Sequence, residues 1–291
     1  MSIKNIGILS PGDMGSAVGK ALILNGYSVF TSLDKRSTRT IKLSEDAGII
    51  PVSLPDILSK CEVILSILVP SEALGLATEI SKYSSSDSAP YYVDCNATSP
   101  FTKKKISKII NKCGMKFIDG GIIGPPPRNG QITRLYISGE YSNEILELND
   151  KGIEVISIGN EIGQASSLKM CYASLTKGKL ALYTAGLLAA HRLNVYDSLV
   201  EELNFSQKKI LAEMNGVNSL STKAFRWIGE MEEISSTLGS QETTDKLHLG
   251  AAEIFSIVAN SVLGQERPET YDKERQLKKT ISLISNKDSG R

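Results

Sequence analysis

Ile6-Gly7-Ile8-Leu9-Ser10-Pro11-Gly12-Asp13-Met14-Gly15 is the stretch on which the fold turns. An apolar run reads as a buried strand, a tight turn follows at Ser10-Pro11-Gly12, and a helix starts near Asp13. The first backbone N–H groups of such a helix have no partner inside it, so donors stand free beside Gly12, Asp13 and Met14. Together with the positive end of the helix they suit a dinucleotide diphosphate. Gly12 lets a phosphate come close, and Gly15 lets the helix pack onto the strand. The spacing is that of G-x-G-x-x-G with Ser10 in place of the first glycine, and a glycine pattern by itself is a weak signal. Position supplies the rest, because strand, turn, helix and second strand follow in the order of a βαβ unit. The alternative is a turn that serves folding alone.

Working outward, the second strand, Tyr27–Ser32, runs into Leu33-Asp34-Lys35-Arg36-Ser37. An acidic residue here binds the ribose hydroxyls of NAD, whereas an arginine accommodates the extra phosphate of NADP. Arg36 and Ser37 at a helix start both donate to phosphate oxygens. We read the site as one for NADP, with NAD as the alternative and a solvated turn with a helix cap as the plain reading. Further strands are expected at Ile3–Leu9, Val63–Leu68, Tyr91–Asp94, Lys116–Asp119, Leu135–Ser138 and Ile153–Ser157. Helices such as Met14–Asn25, Ser37–Ala47 and Ser99–Lys112 fall between strands, with Thr98 or Ser99 as cap and Pro100 in the first turn. Strands without polar alternation, such as Val63–Leu68, suit a parallel sheet covered on both faces. Beyond about residue 160 strand signals stop. A proline-free helix is expected from Glu161 to about Arg192, with further helices at Tyr196–Leu203, Ser206–Asn215, Thr222–Leu238, Thr244–Leu263 and Lys273–Ser285. The fold class is therefore α/β then all-α. A Rossmann-type, mostly parallel sheet over 1–160 precedes a helical substrate and dimerisation domain over 161–291, joined by a long interdomain helix. The polar end, Ser285–Arg291, reads as frayed.

Bulk properties exclude other classes. Thirty-three Lys and Arg against 32 Asp and Glu leave a formal charge of +1, spread evenly, which suits neither nucleic acid nor an anionic membrane. Lys103-Lys104-Lys105 with Lys108 and Lys112 reads as a solvated helix face. The longest apolar run, Val63–Val69, falls far short of the roughly 20 residues of a spanning helix. No signal peptide precedes Ile3, and Cys61, Cys95, Cys113 and Cys171 lack the close pairs of a zinc site, so free thiols in a cytoplasmic protein are expected. No metal is expected.

At this point the residues carry a family likeness over essentially the whole chain. The sequence resembles the β-hydroxyacid dehydrogenases, related to 6-phosphogluconate and 3-hydroxyisobutyrate dehydrogenases. Gly12-Asp13-Met14-Gly15 is similar to that family's G-x-M-G. Leu65–Pro70 resembles its strand-and-proline segment, which implies that Leu68, Val69 and Pro70 border a nicotinamide pocket. Asp94–Pro100 is similar to its D-x-S/N-x-x-x-P segment, which implies that Asn96 and Thr98 meet the nicotinamide ribose. Ile162–Lys169 resembles the G-x-x-x-x-x-K that opens the interdomain helix, which implies that Lys169 is catalytic. More narrowly, Gly121–Pro127, Thr133–Gly139, Lys223–Ile234 and Gly250–Glu253 resemble a branch whose C-terminal domain is of unknown function. The resemblance implies a homodimer built through the helical domain. Two departures from the family stand out: Ile123 is where the substrate-loop serine is usual, and Tyr172 and Ala173 are where an asparagine is usual.

The chemistry follows from the residues. Lys169 lies in the first turns of the long helix, where the two domains are expected to meet. In a semi-buried cleft, desolvation lowers a lysine's pKa, so it can exchange a proton with a substrate oxygen. Tyr172 and Ala173 share its face at i+3 and i+4. Gly120–Pro127 reads as a rigid loop forming the substrate wall, with Gly121, Ile122, Ile123 and Gly124 lining it, or as a structural crossover. These features point to an NADP-dependent oxidoreductase acting on a hydroxy acid or a related alcohol or carbonyl compound. The rivals are an imine reductase of the same superfamily, against which the retained Lys169 argues, and a dinucleotide-binding sensor without turnover.

Overall fold

Short apolar runs alternating with amphipathic stretches build the N-terminal part strand by strand. The computed structural model describes residues 2–83 and 89–286; most of the tail read as frayed, 287–291, lies outside them. In chain order the elements are β1 (Asn5–Leu9), α1 (Asp13–Leu24), β2 (Ser28–Thr31), α2 (Thr38–Ala47), β3 (Ile50–Pro51), α3 (Leu54–Lys60), β4 (Val63–Ser66), α4 (Pro70–Ile80), β5 (Tyr91–Asp94), α5 (Pro100–Lys112), β6 (Lys116–Ile123), β7 (Arg134–Ser138) and β8 (Glu154–Ser157). Helix starts follow local chemistry. Ser37, Ser53 and Ser99 each accept a hydrogen bond from the amide three residues on, and Pro55, Pro70 and Pro100 sit in first turns, where the missing N–H costs nothing.

The eight strands form one sheet in the order β3-β2-β1-β4-β5-β6-β7-β8. All neighbours pair parallel except β6 and β7. Alternation along the strands sends side chains to opposite faces. Ile6, Ile8, Val63, Leu65 and Val93 join one apolar layer, and Ile64, Tyr92 and Phe117 join the other. Each layer is closed by helices, which is why the central strands carry no polar alternation. The chain reverses direction in the order between β1 and β4, so their carboxyl ends flank the crevice in which such sheets take ligands.

One expectation changes here. Gly120–Ile123, read as loop, is the second half of β6, with Gly120 opposite Ile137 and Ile122 opposite Leu135. The antiparallel return of β7 supplies the partner, and the turn begins only at Gly124. In consequence Ile122, expected on the substrate wall, packs into the core. The turn expected at Ser10 is present. Ser10 has φ +63, the left-handed region that glycine adopts freely, and the Gly12 amide donates to the Ser10 carbonyl at 2.7 Å. Serine thus takes the conformation of the glycine it replaces, at a cost of about 1–2 kcal/mol. Ser10→Gly relieves that strain but loosens the unfolded chain by about 0.5–1 kcal/mol. The expected net result is a rise of about 1–3 °C in melting temperature, checked by calorimetry; a fall would show that the Ser10 side chain holds the turn.

The chain divides into two compact units, Met1–Met170 and Cys171–Arg291. The division falls within α6 (Gln164–Arg192), which is followed by α7 (Tyr196–Ser206), α8 (Lys208–Met214), α9 (Ala224–Gly239), α10 (Lys246–Ala259) and α11 (Leu277–Ser285). In the second unit α9 and α10 pack side by side, with Trp227 tilted against Phe255 at 5.5 Å between ring centres. Lys177 of α6 is salt-bridged to the buried Glu230 of α9. No described helix is long and apolar enough to cross a membrane. The four cysteines are free thiols.

Candidate active site

The carboxyl ends of three strands stand in register with the middle of a fourth: Leu9 of β1 faces Ser66 of β4, Ser66 faces Asp94 of β5, and Asp94 faces Asp119 of β6. The residues expected to hold a dinucleotide gather along this edge. Gly12 is the N-cap of α1, no side chain caps that helix, and a Cβ added at Gly12 would meet nothing within 4 Å. A Cβ at Gly15, by contrast, would stand 3.1 Å from the Ser10 carbonyl oxygen, so the helix rests directly on the turn. Pro11 is buried, while Asp13 and Met14 are half-buried in the first turn. Leu68 and Val69 follow β4, and Pro70 opens α4. Asn96 ties these segments together: its side-chain oxygen accepts from the Leu68 amide, and its Nδ2 donates to Ser66 Oγ at 3.0 Å.

On the edge itself Asp94 Oδ2 and Asp119 Oδ1, beside the Lys103 cation, are buried without a hydrogen-bond partner among the described residues; on the loops that follow, so are Thr98 Oγ1 and Arg36 Nε. Buried polar groups are rarely left unpaired. With the open space above Gly12, the two loop orphans fit a dinucleotide: a diphosphate over Gly12–Met14, a ribose near Thr98, and a phosphate at Arg36. Ser37 is exposed, its Oγ 3.1 Å from Thr40 Oγ1 and 3.2 Å from the Thr40 amide, so it caps α2 beside Arg36.

Lys169 lies half-buried in the second turn of α6. Its placement depends on β6. A Cβ added at Gly121 would lie 2.9 Å from the Ala165 carbonyl oxygen and 3.1 Å from Lys169 Cβ, so α6 can ride on this strand only because the residue is glycine. Asp119, two residues earlier, caps the helix from outside. Its Oδ2 accepts from the amides of Gly163 (2.9 Å) and Ser166 (3.1 Å) and from the hydroxyls of Ser166 (3.0 Å) and Ser138 (3.2 Å). Burial pushes the Asp119 carboxyl above its ordinary value, against the Lys103 cation and the Ser166 and Gly163 donors that hold it down. Of the remaining substrate-wall candidates, Ile123 is half-buried at the end of β6, Gly124 is exposed in the turn, Tyr172 is exposed and Ala173 is fully buried.

Besides Ile122, Lys103 lies elsewhere than the sequence reading put it, and Arg128 was missed. Lys103, assigned to a solvated face, is fully buried. Lys103, Ile106, Ser107 and Ile110 are the buried residues of α5, at spacing i, i+3, i+4, i+7, and that periodicity marks the inward face despite the run of lysines. Arg128, in the turn between β6 and β7, donates to the Asp13 carbonyl oxygen at 2.7 Å and pairs with the Asp13 carboxylate at 3.0 Å. It brings a guanidinium to the start of α1.

Residues 5–142 match the NAD binding domain of 6-phosphogluconate dehydrogenase, and residues 190–258 match a domain of unknown function, DUF1932. An uncharacterised 28.5 kDa protein of Methanothermus fervidus, from the 5′ region of 7S RNA, is 30% identical over 210 residues, covering 72% of this chain and 80% of that protein. The chain belongs to the 6-phosphogluconate dehydrogenase-like family, in the branch with a DUF1932 domain. Among solved structures of similar fold, MTH1747 is 31% identical, with a TM-score of 0.63 over 88% of this chain and 96% of its own. That family member is a conserved protein of unknown function, described as structurally similar to 3-hydroxyacid dehydrogenases. The 3-hydroxyisobutyrate dehydrogenase of Mycobacterium tuberculosis shares the fold at 14% identity, with a TM-score of 0.67 over 98% of this chain and 100% of its own. This family member therefore has the NAD(P)-binding fold of hydroxyacid dehydrogenases.

Proposed function

We propose that the protein is an NADP-dependent oxidoreductase interconverting a hydroxy acid, or a related alcohol, with its carbonyl compound, and that Lys169 is the general acid and base. The observation that carries this reading is the sheet edge itself, where the open approach at Gly12, the unpartnered Thr98 Oγ1 and the strand that seats Lys169 belong to neighbouring strand ends. Gly12, Asp13 and Met14 bind a diphosphate through the start of α1, aided by Arg128. Asn96 and Thr98 orient a ribose, while Leu68, Val69 and Pro70 exclude water from one side. The nicotinamide supplies the hydride when bound. Lys169 gives a proton to the carbonyl oxygen during reduction and takes it from the hydroxyl during oxidation. Ile123 in place of a polar residue favours a substrate less hydrophilic than a small hydroxy acid.

The test is NADPH oxidation followed at 25 °C across aldehydes, ketones, keto acids and cyclic imines, with the reverse reaction on hydroxy acids. Turnover of carbonyl compounds is expected. Turnover of imines alone would favour an imine reductase, and tight NADPH binding without any turnover would favour a sensor. Arg36 gives a separate check on the cofactor. A charge-assisted hydrogen bond contributes about 1.5–3 kcal/mol, so Arg36→Ala is expected to weaken NADPH binding by about 10- to 100-fold while NADH changes less than threefold. Titration by protein fluorescence measures both; equal losses would remove Arg36 from phosphate recognition.

A further inference from the structure

Lys103 is fully buried, and so are both carboxylates beside it, Asp94 and Asp119. Its ammonium uses every donor it has. Nζ donates to Asp94 Oδ1 at 2.8 Å, to the Gly120 carbonyl at 3.0 Å and to the Asp94 carbonyl, and lies 3.6 Å from Asp119 Oδ1. One chain of hydrogen bonds and one ion pair leave this cation. Through Asp94 Oδ1 it reaches the Asn96 amide at 2.9 Å, and Asn96 in turn holds Leu68 and Ser66, the segments assigned to the nicotinamide side. The ion pair leads to Asp119, whose Oδ2 holds Gly163 and Ser166, and Ser166 lies one helical turn before Lys169 on the same face.

A buried ion cluster is a poor way to gain stability. Desolvating three charges costs several kcal/mol each, and apolar side chains of the same volume often do as well. What such a cluster fixes is geometry, since each group must stay where its partners are. We propose that Lys103 is a positioning residue, a single buried cation that sets the nicotinamide-side loop and the start of α6, with Lys169, at a fixed spacing. The proposal rests on the assignment of Lys169 as proton donor for its effect on rate, but not for its structural arm. Without the cation, two adjacent buried carboxylates cannot both stay ionised, and one takes up a proton. A proton on Asp119 weakens the cap on Gly163 and Ser166, and the first turn of α6 loosens.

Lys103→Met keeps most of the length of the side chain and removes the charge. Hydrogen exchange read by mass spectrometry is expected to speed up about tenfold or more in peptides covering 94–98 and 161–170, while 5–24 keeps its protection. NADPH still binds, and kcat for the best carbonyl substrate falls about tenfold or more with the KM for that substrate little changed. Unchanged exchange at 161–170 overturns the proposal. So does faster exchange throughout residues 2–170 with loss of NADPH binding, which is the mark of a general stability role. If wild-type protein turns over no substrate, the functional reading fails while the exchange result still decides this one. If Lys103→Met does not fold, Asp119→Asn removes the partner charge at constant shape and is expected to show the same local acceleration; its absence is equally decisive.

Discussion

Lys169→Ala is expected to lower kcat by about 10²–10⁴-fold, the range over which a positioned proton donor acts, with NADPH affinity changed less than threefold. The separation is built into the fold. The candidate dinucleotide contacts lie on the turns after β1, β2, β4 and β5, whereas Lys169 is carried by α6 against β6, so truncation at Cβ leaves the cofactor edge intact. The Cβ of the alanine keeps its place 3.1 Å from the point where a Gly121 Cβ would stand, so the seat of the helix is unchanged. Lys169→Arg adds a second reading. Guanidinium keeps the positive charge but does not release its proton at neutral pH. A role in proton transfer predicts that both variants are inactive; a role in holding a substrate anion predicts that arginine retains much of the rate. Stopped-flow absorbance of NADPH oxidation distinguishes them, and near-wild-type kcat in Lys169→Ala removes the residue from the chemistry.

Much of this arrangement was legible in the chain, for identifiable reasons. The βαβ alternation is written in hydrophobic periodicity and in serine and proline helix starts, so Ser37, Ser99 and Pro100 fell where caps and first turns were expected. Asp13–Leu24 was legible as a helix because its turn lies between two apolar strands. Gly120–Ile123 was not, because glycines and following prolines look like loop until β7 supplies a partner for the strand. Lys103 was hidden by its neighbours: composition sees a lysine run, and only the ladder Lys103, Ile106, Ser107, Ile110 separates the inward lysine from the outward ones. Arg128 had no local signal at all. Its partner Asp13 is 115 residues away in sequence, and the sheet is what brings the two together. Local chemistry thus specifies elements and caps, while contacts made across the sheet depend on strand order.

The helical unit carries the second large prediction, a homodimer broken by two substitutions. Tyr172, Leu175, Lys179, Leu182, Gly186 and Ala189 are all exposed on α6, at steps of three, four, three, four and three. That is the 3.5-residue repeat of a helix seam facing another helix. Leu175 and Leu182 are 75% and 71% exposed. Scattered exposed leucines are ordinary, but Leu175 and Leu182 recur at this period with Tyr172 and Ala189, and we propose this face as the association surface. Lys179 stays compatible with it by pairing with Glu213 of its own chain at 3.1 Å. Leu175→Glu with Leu182→Glu costs the isolated chain little, because both side chains lie in water and glutamate is nearly as good a helix former as leucine. In a symmetric dimer the same changes place four carboxylates in one seam, where an uncompensated buried charge costs several kcal/mol. A loss of even about 3 kcal/mol weakens association more than 100-fold. Light scattering at micromolar concentration is therefore expected to find a wild-type dimer and a monomeric double variant that still unfolds cooperatively. A wild-type monomer, or a double variant still dimeric, would place the association surface elsewhere or deny it.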